Sequence, residues 1–184
     1  MKIRGSFVID TNTRNLIDEI ANSVRKMYSV PMPISDISKI VELIGGVVKY
    51  DDAELSELSD GYIKKTSAGS FEICVSSKCS LERRNFTVAH EIGHLFLHMG
   101  YRTNPELWKS ISNDLVYNRF GHSDEEYQAN EFAAAFLMPE DVFVDALKRN
   151  SNNKNVDITP VANLFGVSVG DAVARGRWLG YLQW

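Results

Sequence analysis

At 184 residues, with 44% hydrophobic and 24% charged side chains, 12 glycines and 5 prolines, the chain has the make-up of a globular protein, not of a disordered or fibrous one. A chain of this size buries roughly two thirds of its unfolded surface, so a core forms without cross-links, and Cys74 and Cys79 are too few for a disulfide framework or a structural zinc site. The net charge of -4 excludes a general nucleic-acid footprint, and the longest apolar run, residues 132–138, is far short of the roughly 20 residues of a membrane helix.

The opening residues lack the sustained apolar stretch of a secretory signal, so a cytoplasmic location is expected. Leu16, Ile17, Ile20, Ala21, Val24 and Met27 recur at helical spacing and predict an amphipathic helix over 15–27, broken by Pro31 and Pro33. Ser35 is placed to cap a second helix, which Gly45-Gly46 stops. Residues 47–50 read as a strand, and 61–66 and 71–75 as a hairpin about Ser67-Ala68-Gly69. The 71–75 strand is expected at the sheet edge, where an extended peptide could add to it. A long helix over 81–99 ends at Gly100, residues 101–122 form a mixed connection, and Ser123 caps a further helix stopped by Pro139. The class is therefore α+β, mostly helical with a small three-stranded sheet.

Charge divides the chain unevenly. Residues 1–145 carry 15 basic and 22 acidic side chains, residues 146–184 five and two. The polar run 150–155 reads as a linker between a body, 1–149, and a helical end, 156–184. Two short helices around Gly166, the second with Ser168 and Asp171 as a capping box, give that end the look of a helix-turn-helix. Arg175 and Arg177 are its candidate DNA contacts. Direct DNA binding is the less favoured outcome, because Arg175 stands where such a motif wants an apolar residue. Packing of Phe165, Trp178 and Leu179 on the body is expected instead.

The chemistry lies on the long helix, in His90-Glu91-Ile92-Gly93-His94. Residues four apart lie one turn apart on one helix face, so two imidazoles can share one ion, and Glu91, about 100° further round, can flank its open position as a general base. Val88, Ala89, Ile92, Leu95, Phe96 and Leu97 make this helix apolar around most of its circumference, and buried histidines without partners would be costly. A catalytic zinc takes a third protein ligand. His98 lies two turns from His90, about 12 Å along the axis, too far to share the ion. Glu126 is the better donor, one turn before Asn130, whose amide could reach a ring nitrogen of a ligating histidine. Glu126 also suits a capping box with Ser123, and Glu125 is the alternative ligand. Candidate donors to the oxyanion of a hydrolytic intermediate are Tyr62, Tyr101 and His122.

The run Arg83-x-x-Phe86-Thr87-Val88-Ala89-His90-Glu91-Ile92-Gly93-His94, followed by Glu126-x-x-Ala129-Asn130-x-Phe132-Ala133-Ala134-x-x-Leu137-Met138-Pro139, resembles the ImmA/IrrE family of zinc metallopeptidases. Asp60-Gly61-Tyr62-Ile63 and the 71–75 strand extend the likeness to roughly residues 15–180. Asn85 departs from it, standing where a second Arg often precedes Phe-Thr, and so does the elaborate 101–122 segment. The resemblance implies a gluzincin-like fold, one Zn2+ per chain with Mn2+ as the alternative metal, and an endopeptidase acting on a helix-turn-helix repressor of a phage, mobile element or stress response. The competing function is a non-proteolytic regulatory or toxin-type binding protein. A retained Glu91 speaks against it, since a closed structural site has no use for an acid beside an open position.

Overall fold

The computed structural model describes residues 10–52, 55, 60–67, 70–113, 116–117, 124–152 and 155–183. The first helix, α1 (Thr11–Met27), begins at Asp10, whose carboxylate accepts from the amides of Asn12 and Thr13. These donors have no partner within the helix itself. The apolar period starts a turn later than the cap, which is why periodicity alone places the start at residue 15. In α2 (Ile37–Ile44) the cap is Asp36, which takes the amide of Ser38, and not the expected Ser35.

Four strands form one sheet: β1 (Val47–Tyr50), β2 (Gly61–Ser67), β3 (Ser70–Val75) and the two-residue β4 (Val116–Tyr117), in the order β1-β3-β2-β4. The α+β class stands, with β4 added to the three expected strands. The position of residues 71–75 does not. β3 lies between β1, to which it is parallel, and β2, to which it is antiparallel, so both its edges are bonded and no peptide can add there. Its second neighbour, β1, comes from beyond β2 in the chain, a non-consecutive pairing that local pattern does not reveal. The outer edge of β2 meets β4 at Ile63 and Lys64.

Alternation sorts the sheet into two faces. Ile63, Phe71, Ile73 and Val75 join the core, while Glu72 on the opposite face is held between Lys49 Nζ at 2.6 Å and Lys64 Nζ at 3.2 Å. Across the core face lies α3 (Leu81–Leu97), capped by Ser80. Its approach is close at Gly61, where a Cβ would stand 2.6 Å from Thr87 Cγ2 and 2.7 Å from the Cys74 carbonyl. Asp60 and Arg83, both in the recognised pattern, are ion-paired at 2.5 Å and join the start of β2 to the start of α3. Within the 101–122 connection, α4 (Pro105–Ser110) is pinned to β2 by the buried Lys65, whose ammonium donates to the carbonyls of Trp108 and Ile111.

On the other side of α3 packs α5 (Asp124–Leu137), itself packed against α1. Ser123, its expected cap, lies outside the described residues. Two buried arginines serve the carbonyl end of α5: Arg25 Nη1 donates to Ala135 O at 2.6 Å, and Arg175 Nε donates to Met138 O at 3.1 Å. They satisfy orphan carbonyls and oppose the negative end of the helix dipole. The helix that bears half of the candidate site is thus fixed at its far end from both chain termini.

Pro139 ends α5 and also starts α6 (Glu140–Arg149), a helix that a reading of Pro139 as a stop alone passes over. In the 150–155 run expected as a linker, β5 (Ser151–Asn152) pairs with β6 (Asn155–Val156), and the Asp157 amide donates to Asn150 O. Beyond it α7 (Ile158–Phe165) packs on α6 through Phe165 and Phe143, and α8 (Val169–Trp178) keeps the expected Ser168/Asp171 capping box. Val161, Ala162, Phe165, Val167 and Ala172 belong to the same apolar cluster as the α3 and α5 core. Arg175 is 2% exposed, with its guanidinium on both oxygens of Asp18, and cannot reach DNA. Trp178, expected to be buried, is 42% exposed, and Leu179 is half-buried. Among the described residues, no helix is long and apolar enough to cross a membrane.

Candidate metal centre

From residue 87 to residue 96 every position of α3 is buried, His90, Glu91 and His94 included. Such a helix must approach its neighbours closely, and Gly93 permits it. A Cβ there would lie 3.1 Å from Ala129 Cα, 3.2 Å from Ala129 O and 3.2 Å from Phe132 Cβ. The missing side chain brings the α5 backbone next to the turn that joins His90 to His94. Ala129 itself lies between Glu126 and Asn130, so this contact sets how far their side chains must reach.

His90 Nε2 and His94 Nε2 stand 2.9 Å apart, and Glu126 sets one oxygen 3.4 Å from the first and the other 3.2 Å from the second. A tetrahedral ion with bonds of about 2.0–2.1 Å separates its ligand atoms by about 3.3 Å. The approaches found here, 2.9 to 3.4 Å, are of that order, with a different carboxylate oxygen of Glu126 nearest each imidazole. Among the described residues these three side chains form the one group of histidine, cysteine or carboxylate donors close enough to hold an ion. Glu125 is exposed in the first turn of α5 and is not part of the group. Burial works against the charge of the Glu126 carboxyl, but hydrogen bonds from His90 and His94 and their charge outweigh it, holding the group well below the usual carboxylate range. The site therefore offers an anionic oxygen and two imidazoles, a donor set that suits zinc.

The remaining ring nitrogens have partners as well. His90 Nδ1 is 2.8 Å from Asn130 Oδ1. His94 Nδ1 is 2.9 Å from His98 Nδ1, and His98 Nε2 is 3.1 Å from Gln128 Oε1. Burial pushes the His98 imidazole below its ordinary range, against the Gln128 hydrogen bond. The length that keeps His98 off a shared ion lets it reach the back of His94. Sequence reasoning weighed His98 only as a ligand and did not weigh Gln128. The available signal was a third histidine on the same four-residue step.

Of the candidate oxyanion donors, neither Tyr62 nor Tyr101 is brought to this site. Tyr101 is a core residue, edge-on to Phe71, Phe96 and Trp108, and its hydroxyl donates to Ile44 O at 2.8 Å. Tyr62 pairs across the strands with Cys74, on the sheet face opposite α3. His122 lies outside the described residues. Asn85 donates through Nδ2 to Gly166 O at 2.9 Å, joining α3 to the α7–α8 turn, a contact that accounts for an amide at this point of the pattern.

Beside Asn130 opens a cavity of about 320 Å³ between α5, α1 and α8, with Phe86, Tyr127, Ala134, Ala174 and Trp178 on its walls. Its charged residues are engaged with protein groups: Arg14 with Glu131 at 3.0 Å and with the Trp178 ring at 3.6 Å, Arg175 with Asp18, and Asp171 with Ser168.

The model of the Peptidase M78 family, described as an IrrE N-terminal-like domain, matches residues 53–175. A solved structure of a Mycobacterium tuberculosis transcriptional regulator shares the fold, with a TM-score of 0.56 and 20% sequence identity over 89% of this chain and 48% of that one. The chain spans about half the length of that regulator. No curated protein resembles the sequence closely enough to count as a relative.

Proposed function

This chain belongs to the Peptidase M78 family of IrrE N-terminal-like domains, and we propose that it is a zinc-dependent endopeptidase that cuts a helix-turn-helix repressor. The observation that carries the reading is the meeting of His90 Nε2, His94 Nε2 and the Glu126 carboxylate at 2.9 to 3.4 Å, beside a buried Glu91. His90, His94 and Glu126 are the residues that would hold the ion. Bound there, zinc would supply Lewis acidity, polarising the scissile carbonyl and making water acidic enough to be activated near neutral pH. Glu91 accepts the proton of the attacking water and returns it to the leaving amine. Asn130 keeps the His90 ring turned toward the ion. Cytoplasmic action on a regulator protein is part of the same reading.

Purified protein should contain about one equivalent of metal, and elemental analysis distinguishes Zn2+ from Mn2+. Incubation with the repressor encoded nearest its gene should yield one or two defined fragments. Glu91→Gln should keep fold and metal and lose at least about 100-fold in cleavage, because it removes the base and preserves the shape. A Glu91→Gln protein cutting at the wild-type rate would remove this residue from the reaction. Tight binding of an uncut repressor would favour the regulatory binding protein.

A further inference from the structure

His94 can offer its Nε2 lone pair to an ion only if the ring proton sits on Nδ1, and in a neutral imidazole that choice is made by what Nδ1 meets. Here Nδ1 meets His98 Nδ1 at 2.9 Å. For His98 to accept that proton its own Nδ1 must be bare, so its proton must lie on Nε2, where Gln128 Oε1 stands at 3.1 Å. A side-chain amide oxygen can only accept. Each link therefore dictates the next, and the chain from Gln128 through His98 to His94 has one self-consistent arrangement: Gln128 accepts, His98 donates and accepts, His94 donates. We propose that His98 and Gln128 are positioning residues that hold His94 in its metal-ready tautomer and fix its ring, acting together as Asn130 does for His90.

Three structural facts support this assignment over a filling role for His98. Its two ring nitrogens are both within hydrogen-bond distance of a partner. His98 is the C-cap residue of α3, past the last helical turn that carries His94, while Gln128 comes from α5, so the chain of bonds ties the two site-bearing helices together on the His94 side. Asn130 ties them on the His90 side. Each imidazole is thus held from behind, His90 by Asn130 of α5 directly and His94 by Gln128 of α5 through His98, and a ring left free to rotate would lose the preorganisation on which metal affinity depends.

The inference rests on the metal reading above, and metal affinity, not activity, is its readout. Affinity for Zn2+ is measured by competition with a chromophoric chelator, and the visible spectrum of the Co2+ form reports the ligand field. His98→Ala should weaken Zn2+ binding by about 10- to 100-fold, with the apo protein still melting cooperatively. His98→Gln, which can accept from His94 and donate to Gln128, should recover most of the loss. Gln128→Leu leaves His98 in place and should cost less, and in the His98→Ala background it should cost nothing further, since it acts only through His98. If His98→Ala fails to fold, Gln128→Leu and His98→Gln still decide. Wild-type affinity in both His98→Ala and Gln128→Leu would overturn the proposal. So would a loss that His98→Gln does not restore and Gln128→Leu does not share, which would make His98 a ligand itself. A wild-type protein that takes up no metal would overturn the metal reading and this inference with it, whereas metal uptake indifferent to His98 and Gln128 would overturn this inference alone.

Discussion

His90 Nδ1 and Asn130 Oδ1 stand 2.8 Å apart, one on α3 and the other on α5, and the hydrogen bond between them favours the neutral tautomer of His90 whose Nε2 lone pair is available to an ion shared with Glu126. Its consequence is measurable. Asn130→Leu removes the acceptor and should weaken Zn2+ binding by about 10- to 100-fold, whereas Asn130→Asp, a stronger acceptor, should match or exceed the wild type. Chelator competition checks both. Equal affinity in Asn130→Leu would mean that the ring is oriented by packing alone.

Gly93 is a point of close approach between α3 and α5, and its substitution pits two effects against each other. Alanine gains about 1 kcal/mol of helix propensity over glycine. Its Cβ would press on Ala129 backbone at 3.1 and 3.2 Å, and backbone yields poorly. Overpacking of this kind costs about 1–3 kcal/mol, so Gly93→Ala should melt lower by a few degrees and bind metal less tightly, because Ala129 moves with Glu126 and Asn130. A raised melting temperature with unchanged affinity would show that the helices separate freely.

The C-terminal helices supply a third test. Arg175 reaches Met138 O and both oxygens of Asp18, with 2% of its surface exposed. Removing one partner of a buried ion pair costs about 3–5 kcal/mol, because the other is left uncompensated. Arg175→Ala should therefore lower the melting temperature by about 10 °C or more. Truncation after Asn150, which also removes Phe165 and Ala172 from the core, should abolish cooperative melting. A truncated chain that melts near the full-length value would show that the tail contributes binding and no stability.

Much of the site is legible in the sequence because its geometry is local. The four-residue step from His90 to His94 and from Glu126 to Asn130 puts each pair on one helix face whatever the rest of the chain does. What joins the pairs is not local. Gly93 reads as one small residue in an apolar helix until Ala129 is seen against it, and His98 reads as a rejected ligand until Gln128 is seen beyond it. The same divide runs through the fold. Helix and strand periods mark α1, β2, β3 and α3, but the place of β3 between β1 and β2 depends on a pairing of β3 with β1 past the intervening β2, and the burial of Arg175 depends on Asp18, 157 residues away. Charge patterning made that arginine look like a surface group. Its partners make it a core residue.

The cavity beside Asn130 gives the last prediction. Its charged lining groups are engaged with protein partners, Arg14 with Glu131 and Arg175 with Asp18, so what it presents to a ligand is chiefly the surface of Phe86, Tyr127, Ala134, Ala174 and Trp178. At about 320 Å³ it has room for a leucine or phenylalanine side chain. If the substrate lies along the site proposed here, a large apolar residue next to the scissile bond should be preferred over a small or charged one. Pocket contacts of this size discriminate by about 1–3 kcal/mol, or roughly 10- to 200-fold in kcat/KM. Ala174 is exposed on α8, so Ala174→Leu should narrow the cavity without disturbing the fold. It should lower kcat/KM for a peptide with phenylalanine at that position by at least about 10-fold, spare a peptide with alanine there, and leave metal content and melting temperature unchanged. Equal losses on both peptides would place the substrate side chain somewhere other than this cavity.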